Sequence, residues 1–357
     1  MIPKAAVVFV MLLSYDVLFC RASGRSGFDL NETSYHDFKD YAGLLEDKVP
    51  RKSISGADSE WTISLGGSSS NLSLEYLSNS LNLTEQELDL SYETIWYLDG
   101  EERRSITIKR AGEQTPREEN LDTKNTHRDA IKINREQPRV KSKRRIFGND
   151  DRKQLLPNSF EAQKIPHSAA CKVACKGICW SCSGILIGSR HVLTSAHCVD
   201  GETAGALRVG FLERNGRLHW YNVMKAYIPL RWTASKALSS DYAVLKLRRP
   251  PTRRTYVKIA SLALRKGSVI SFTGFPGDKV PNSLWTTKCP VFLVQGGVIY
   301  NKCDATRGSS GSGVFVTDSS GTKVVGVLSG ETKRSRLNVA VHFTRSKVNQ
   351  INGWTRK

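Results

Sequence analysis

After residue 22 this chain has no apolar run near the ~18 residues that a membrane-spanning helix requires, which excludes a helical membrane protein. Acidic side chains are scarce in its second part. Residues 146–357 hold 11 Asp/Glu against 32 Lys/Arg, a balance of +21, whereas residues 1–145 hold 23 against 21, a balance of −2. No aromatic-basic binding motif accompanies that excess, so nucleic acid is a poor partner for it. A polyanion such as a sulfated glycan of the extracellular matrix fits better, as does the chain's own acidic stretch, 16 acids against 5 bases over residues 23–102. No histidine stands at a spacing that completes a zinc set with Cys171, Cys175 and Cys179, so metal is not expected there, and no organic cofactor is expected either. Between about 100 and 145 apolar residues are so thin that no core can form there, and the stretch reads as a linker.

What is present begins with an export signal over residues 1–22: Lys4, an apolar stretch over 5–13, and Cys20-Arg21-Ala22 as a cleavage context. A secreted, extracellular protein meets oxidising surroundings, in which disulfides persist. Loss of Cys20 leaves seven cysteines: Cys171, Cys175, Cys179, Cys182, Cys198, Cys289 and Cys303. Seven is odd, so one thiol is free or pairs with another chain. Local disulfides account for the Cys171–Cys179 cluster better than a metal does. Residues 23–145 form an acidic leader with N-x-S/T glycosylation acceptors at Asn31, Asn71 and Asn82. The leader ends in Lys141-Ser142-Lys143-Arg144-Arg145, a basic run at a composition boundary, where proteolysis concentrates. Arg144, Arg145 and Ile146 therefore mark an expected cut by a proprotein-processing protease, after either arginine.

From residue 146 the pattern becomes short β-branched runs, over 183–187, 208–212, 243–247, 269–274, 291–300, 314–317, 323–328 and 337–343. Gly, Pro, Asn and Asp clusters separate them. Such spacing predicts an antiparallel all-β barrel or sandwich in place of a βαβ layout, with a short helix over 346–357. About 210 residues suffice for two small barrels sharing a cleft.

Three motifs carry chemistry. Thr194-Ser195-Ala196-His197-Cys198 comes first, then Ser239-Ser240-Asp241-Tyr242-Ala243, then Gly308-Ser309-Ser310-Gly311-Ser312-Gly313. Serine is a poor nucleophile until a positioned base takes its proton, and that base needs a third group to orient it. Each residue also has a plain reading: Asp241 as a turn aspartate capping a strand, and the Gly/Ser run as a flexible linker. His191 and His219 lack a comparable context and are read as structural.

These motifs, with Lys143-Arg144-Arg145-Ile146-Phe147-Gly148 and Cys303-Asp304-Ala305-Thr306-Arg307, resemble those of chymotrypsin-like, trypsin-fold serine proteases. Within them the likeness is to the secreted group of serine protease 23 and serine protease 35, over roughly residues 140–357. The resemblance implies two six-stranded antiparallel β-barrels with a short C-terminal helix, preceded by a largely disordered leader. It implies a serine endopeptidase acting on proteins and peptides, with Ser310 as nucleophile, His197 as general base and Asp241 as its orienter. The backbone N–H groups of Gly308 and Ser310 would form the oxyanion hole. Cys182–Cys198 matches the bridge that pins the histidine loop, and Cys289 and Cys303 are the other disulfide residues expected. Asp304, six residues before Ser310, matches the acid that selects Arg or Lys in trypsin-like relatives, unless it is a plain loop aspartate. Ser329 matches the serine beneath the triad aspartate, and Glu331 stands where it would narrow the pocket mouth. Two departures stand out. Ser309 replaces the aspartate that binds the new amino terminus in trypsin-like enzymes, as in the bacterial glutamyl-endopeptidase branch. Members of the serine protease 35 type replace the nucleophile and are regarded as inactive, whereas this chain keeps Ser310. The alternative function is an idle protease scaffold that binds extracellular polyanions or partner proteins.

Overall fold

The structure is a computed structural model that describes residues 60–65, 83–98, 101–109, 146–177, 180–332 and 336–357. The export signal, Asn31, Asn71, Asn82, Arg144, Arg145, Cys20 and Cys179 lie outside the described residues.

β-Branched and aromatic residues favour extended backbone, and the runs read from the sequence are strands. Ahead of the basic run stand β1 (Glu60–Leu65), β2 (Tyr92–Leu98) and β3 (Glu101–Lys109). After it come β4 (Lys153–Leu155), β5 (Ala170–Cys175), β6 (Ser181–Gly188), β7 (His191–Thr194), β8 (Leu207–Leu212), β9 (Leu218–Pro229) and β10 (Ala243–Leu247). They are followed by β11 (Lys258–Ile259), β12 (Val269–Gly274), β13 (Leu284–Gln295), β14 (Val298–Asn301), β15 (Gly313–Asp318), β16 (Gly321–Glu331) and β17 (Asn338–His342). Among the described residues the α-helices are α1 (Glu85–Leu90), α2 (Phe160–Gln163), α3 (Leu230–Ser235) and α4 (Arg345–Arg356).

Two sheets close on themselves. The first runs β9-β10-β7-β6-β5-β8, with β8 pairing back onto β9. The second runs β16-β15-β12-β13-β14-β17, with β17 pairing back onto β16. These are the two expected six-stranded barrels, and α4 is the expected C-terminal helix. Closure removes sheet edges and gives each barrel an interior for its alternate side chains. Val173, Leu193, Val209, Phe211 and Leu245 are wholly buried in the first core, and Ile270, Val314, Val325 and Leu328 in the second. Each such side chain contributes roughly 1.5–3 kcal/mol.

Two stretches differ from their expectation. The run over 291–300 is a hairpin, not one strand, because Gly296 and Gly297 adopt φ of 58° and 72° and close a two-residue turn between β13 and β14. Positive φ at both central turn residues is what glycine permits and what matches the twist of paired strands. The stretch taken as a linker from about 100 contains β3, whose Ile106 and Ile108 are each 1% exposed. Local polarity hid this strand, since its apolar partners lie elsewhere: β3 pairs with β2, and β2 pairs with β9 of the first barrel. Thr84 and Glu87 form a reciprocal capping box that starts α1 just before this hairpin.

Candidate active site

His197 sits in a 3-10 turn directly after β7, and Asp241 closes the 3-10 turn that leads into β10. Because β7 and β10 pair with Thr194 opposite Ala243, the two loops leave the first barrel side by side. Ser310 arrives from the second barrel, on the turn entering β15. The three meet. His197 Nδ1 lies 2.7 Å from Asp241 Oδ2, and His197 Nε2 lies 2.9 Å from Ser310 Oγ. The His197 backbone N–H donates to Asp241 Oδ1 at 2.9 Å, and the Ser329 hydroxyl donates to Oδ2.

Asp241 is fully buried, and burial by itself disfavours its charged form. The His197 side chain, its backbone N–H and the Ser329 hydroxyl outweigh that penalty and hold the carboxyl below its ordinary range. Asp241 thus faces the imidazole instead of serving only to cap a strand. Ser329 lies beneath it.

The turn that carries Ser310 is packed, not loose. Ser309, Ser310 and Ser312 are 3%, 4% and 0% exposed. Gly308 has φ 89°, and a Cβ there would stand 2.5 Å from the Phe275 carbonyl oxygen. Gly311 has φ 81°, and a Cβ there would stand 2.2 Å from the Ser183 oxygen. Both positions therefore require glycine, which the reading as a linker does not explain.

Ser183 holds this turn in place. Its backbone N–H donates to the Ser310 carbonyl at 2.6 Å, while its hydroxyl donates to the Gly308 carbonyl at 2.7 Å and accepts the Phe275 N–H at 2.8 Å. Sequence reasoning missed it, and its position beside Cys182 was the one available signal. Across the barrel junction, the Leu328 carbonyl accepts both the Ser195 hydroxyl at 2.7 Å and the Gly311 N–H at 2.8 Å. The Cys182–Cys198 and Cys289–Cys303 disulfides are both formed. Trp232 of α3, also missed, lies 6.5 Å from the His197 ring, centroid to centroid.

Asp304 faces backbone amides. It is 2% exposed, and its two oxygens accept the backbone N–H groups of Phe147 at 2.6 Å and Asp151 at 3.0 Å. The carboxylate is committed to the segment that follows the basic run, so it is not a free acid awaiting a cationic side chain. Arg152 pairs with Asp150 of the same segment at 2.7 Å and fastens that segment to the second barrel through Asp278 at 2.5 Å and Thr306 at 3.1 Å. β4 extends it along β13. A small cavity lies among Asp304, Ser309, Arg152 and Trp285. Glu331 is half-buried at the end of β16.

His191 and His219 stay outside the site. Burial first, then Lys246 and Arg190, pushes His191 down to about 4. His219 stacks on Tyr221 with ring centroids 4.7 Å apart. Cys182, His197 and Cys198 bring three potential metal donors together, but both sulfurs are spent in a disulfide. Cys171 and Cys175 are buried thiols, contrary to the expectation of local bridges. Burial raises both, and with the Glu202 carboxylate beside it Cys175 is pushed up to about 11. A protonated thiol is neither a good metal ligand nor a good nucleophile.

A protein-family model described as Trypsin matches residues 158–355. Serine protease 23 of Bos taurus is 31% identical over 253 residues, covering 59% of this chain and 65% of the bovine protein. The match thus spans less than two thirds of that relative's length. Inactive serine protease 35 of Bos taurus is 27% identical over 349 residues, covering 76% of this chain and 80% of that protein. A solved Glu endopeptidase superposes with a TM-score of 0.52 at 23% identity, over 59% of this chain and 100% of that one, which is a likeness of fold.

Proposed function

We propose that this chain, which belongs to the trypsin family, is a secreted serine endopeptidase cleaving peptide bonds through an acyl-enzyme. One observation carries the reading: a hydroxyl, an imidazole and a buried carboxylate stand in line, 2.9 Å and 2.7 Å apart. Asp241 accepts from Nδ1–H, which leaves Nε2 free to accept the Ser310 proton as Oγ attacks the scissile carbonyl. The charge that develops on the carbonyl oxygen falls to the backbone N–H groups of Gly308 and Ser310, on the turn that Ser183 braces. His197 then returns the proton to the leaving amine, and water releases the acyl group. Processing follows Arg144 or Arg145, at the end of the basic run.

Ser309 carries no charge to receive a new amino terminus, and Asp304 supplies the anchor in its place by holding Phe147 and Asp151. An Asp304 so engaged gives no basis for selecting Arg or Lys at the scissile bond.

Fluorophosphonate labelling of the purified, processed protein tests the activity. Wild type should take one label per chain and Ser310→Ala none. An unlabelled wild type, or a labelled Ser310→Ala, refutes the assignment. The +21 balance of residues 146–357 and the relatives named inactive favour one other reading, a catalytically idle binder of extracellular polyanions, and an unlabelled wild type would support it.

A further inference from the structure

Closure of the first barrel stops short along the end of β9, and β2 fills the gap. β8 pairs with β9 only as far as Asn222, whereas β10 pairs with β9 through Tyr227 on the other side. Residues 225–229 would therefore present an open edge, with Ala226, Tyr227 and Ile228 on it. Backbone N–H and C=O groups left unpaired on an apolar strand are costly and recruit other chains. β2 occupies that edge, antiparallel, from Trp96 opposite Lys225 to Tyr92 opposite Pro229.

Side chains complete the seal. Tyr92 meets Trp354 of α4 with ring centroids 5.4 Å apart, in a cluster that includes Tyr227 and Tyr242. Gln350 of α4 donates to the carbonyls of Asp89 and Leu90 at 3.0 and 2.9 Å, capping the end of α1, and its own carbonyl oxygen accepts from Tyr242, next to Asp241. Leu230 of α3 packs with Ile106 and Ile108 of β3, and its N–H donates to the Ser91 carbonyl at 2.9 Å. α3 also carries Trp232, which packs against His197.

We infer that residues 83–109 are a lasting subunit of the protease part, held without a covalent link after the chain is cut at the basic run. The added strand supplies main-chain affinity and its buried side chains supply specificity, the arrangement by which extended segments bind open sheet edges. The inference rests on the processing at residues 144–146 proposed above. It assigns the leader a role other than a mask that departs on cleavage.

The test uses the full exported chain, cut at the basic run by a dibasic-specific endoprotease and passed over a size-exclusion column in physiological buffer. A single peak holding both pieces in equal molar amount by intact mass is expected, separating into two in concentrated guanidinium chloride. Emergence of the leader piece alone in buffer overturns the inference. A chain that resists cutting at residues 141–145 would count against the processing reading and not against this one. A foreign protease site placed within 115–135 then serves for the same measurement. Hydrogen exchange gives a second readout: the amides of 225–228 should stay as protected in the cut protein as in the intact one, and their loss of protection on cutting would also overturn it.

Discussion

Replacing Asp304 discriminates between an anchor and a specificity acid. Its carboxylate is 2% exposed and accepts two backbone N–H groups, from Phe147 and Asp151. A hydrogen bond to a charged group contributes about 1.5–3 kcal/mol, and a buried donor left unmatched is costly as well. Asp304→Asn keeps one carbonyl acceptor but turns an NH₂ toward the other N–H, so a loss of about 1.5–3 kcal/mol is expected. For a folded unit of this size each kcal/mol lowers Tm by about 2–4 °C, which predicts a fall of roughly 3–12 °C. Thermal melting followed by circular dichroism reads that number, and hydrogen exchange should show the Phe147 and Asp151 amides opening. Peptides differing only in the residue before the scissile bond give the second arm. Wild type should show no particular preference for Arg or Lys, and Asp304→Asn should leave the preference profile in place. A strong basic preference in wild type that vanishes in Asp304→Asn, with Tm unchanged, would refute the reasoning.

Asp241→Asn should leave the fold intact while kcat falls by about 10⁴, the loss known for this substitution in the family's reference enzymes, because the imidazole is then held in the wrong tautomer; a burst-phase assay with an ester substrate checks it, and near-normal kcat would contradict it. Ser329→Ala removes a hydroxyl donor from Asp241 and should bring its folded-state pKa up toward 3.8. Because that pKa is depressed, its stabilisation is present above the unfolded value and lost as pH falls through the folded one, so acid unfolding should begin at a higher pH in Ser329→Ala; superimposable acid curves would count against it. Removing the Cys182–Cys198 bridge, which spans 16 residues, should cost about 3 kcal/mol from loop-closure entropy alone and lower activity with it; unchanged stability under reducing and oxidising conditions would argue otherwise.

Much of the candidate site was legible because each of its residues sits in a short motif whose chemistry is local. His197 precedes a cysteine, Asp241 leads a strand, and Ser310 lies between glycines that the turn requires at 308 and 311. Short β-branched runs likewise exposed the strands of the second barrel and β6, β8 and β10 of the first, while β5, β7 and β9 were not among them. What escaped notice depends on distance along the chain. Ser183 braces a turn more than a hundred residues away, and beyond its place beside Cys182 nothing near it announces that. β3 reads as polar linker because its buried face is completed by Leu230. The assignment of Asp304 followed its spacing from Ser310, yet its partners are the amides of Phe147 and Asp151, which no side-chain pattern can reveal.

The bond pattern around the Leu328 carbonyl separates architecture from chemistry. Ser195 and Gly311 both converge on that oxygen, and Ser329 supports Asp241 from the next residue, none of them through the Ser310 hydroxyl. A chain in which this serine is exchanged would keep both barrels. The frame would therefore serve a recognition protein as well as a hydrolase, and a lost nucleophile in a cousin says little about whether its groove still grips a peptide.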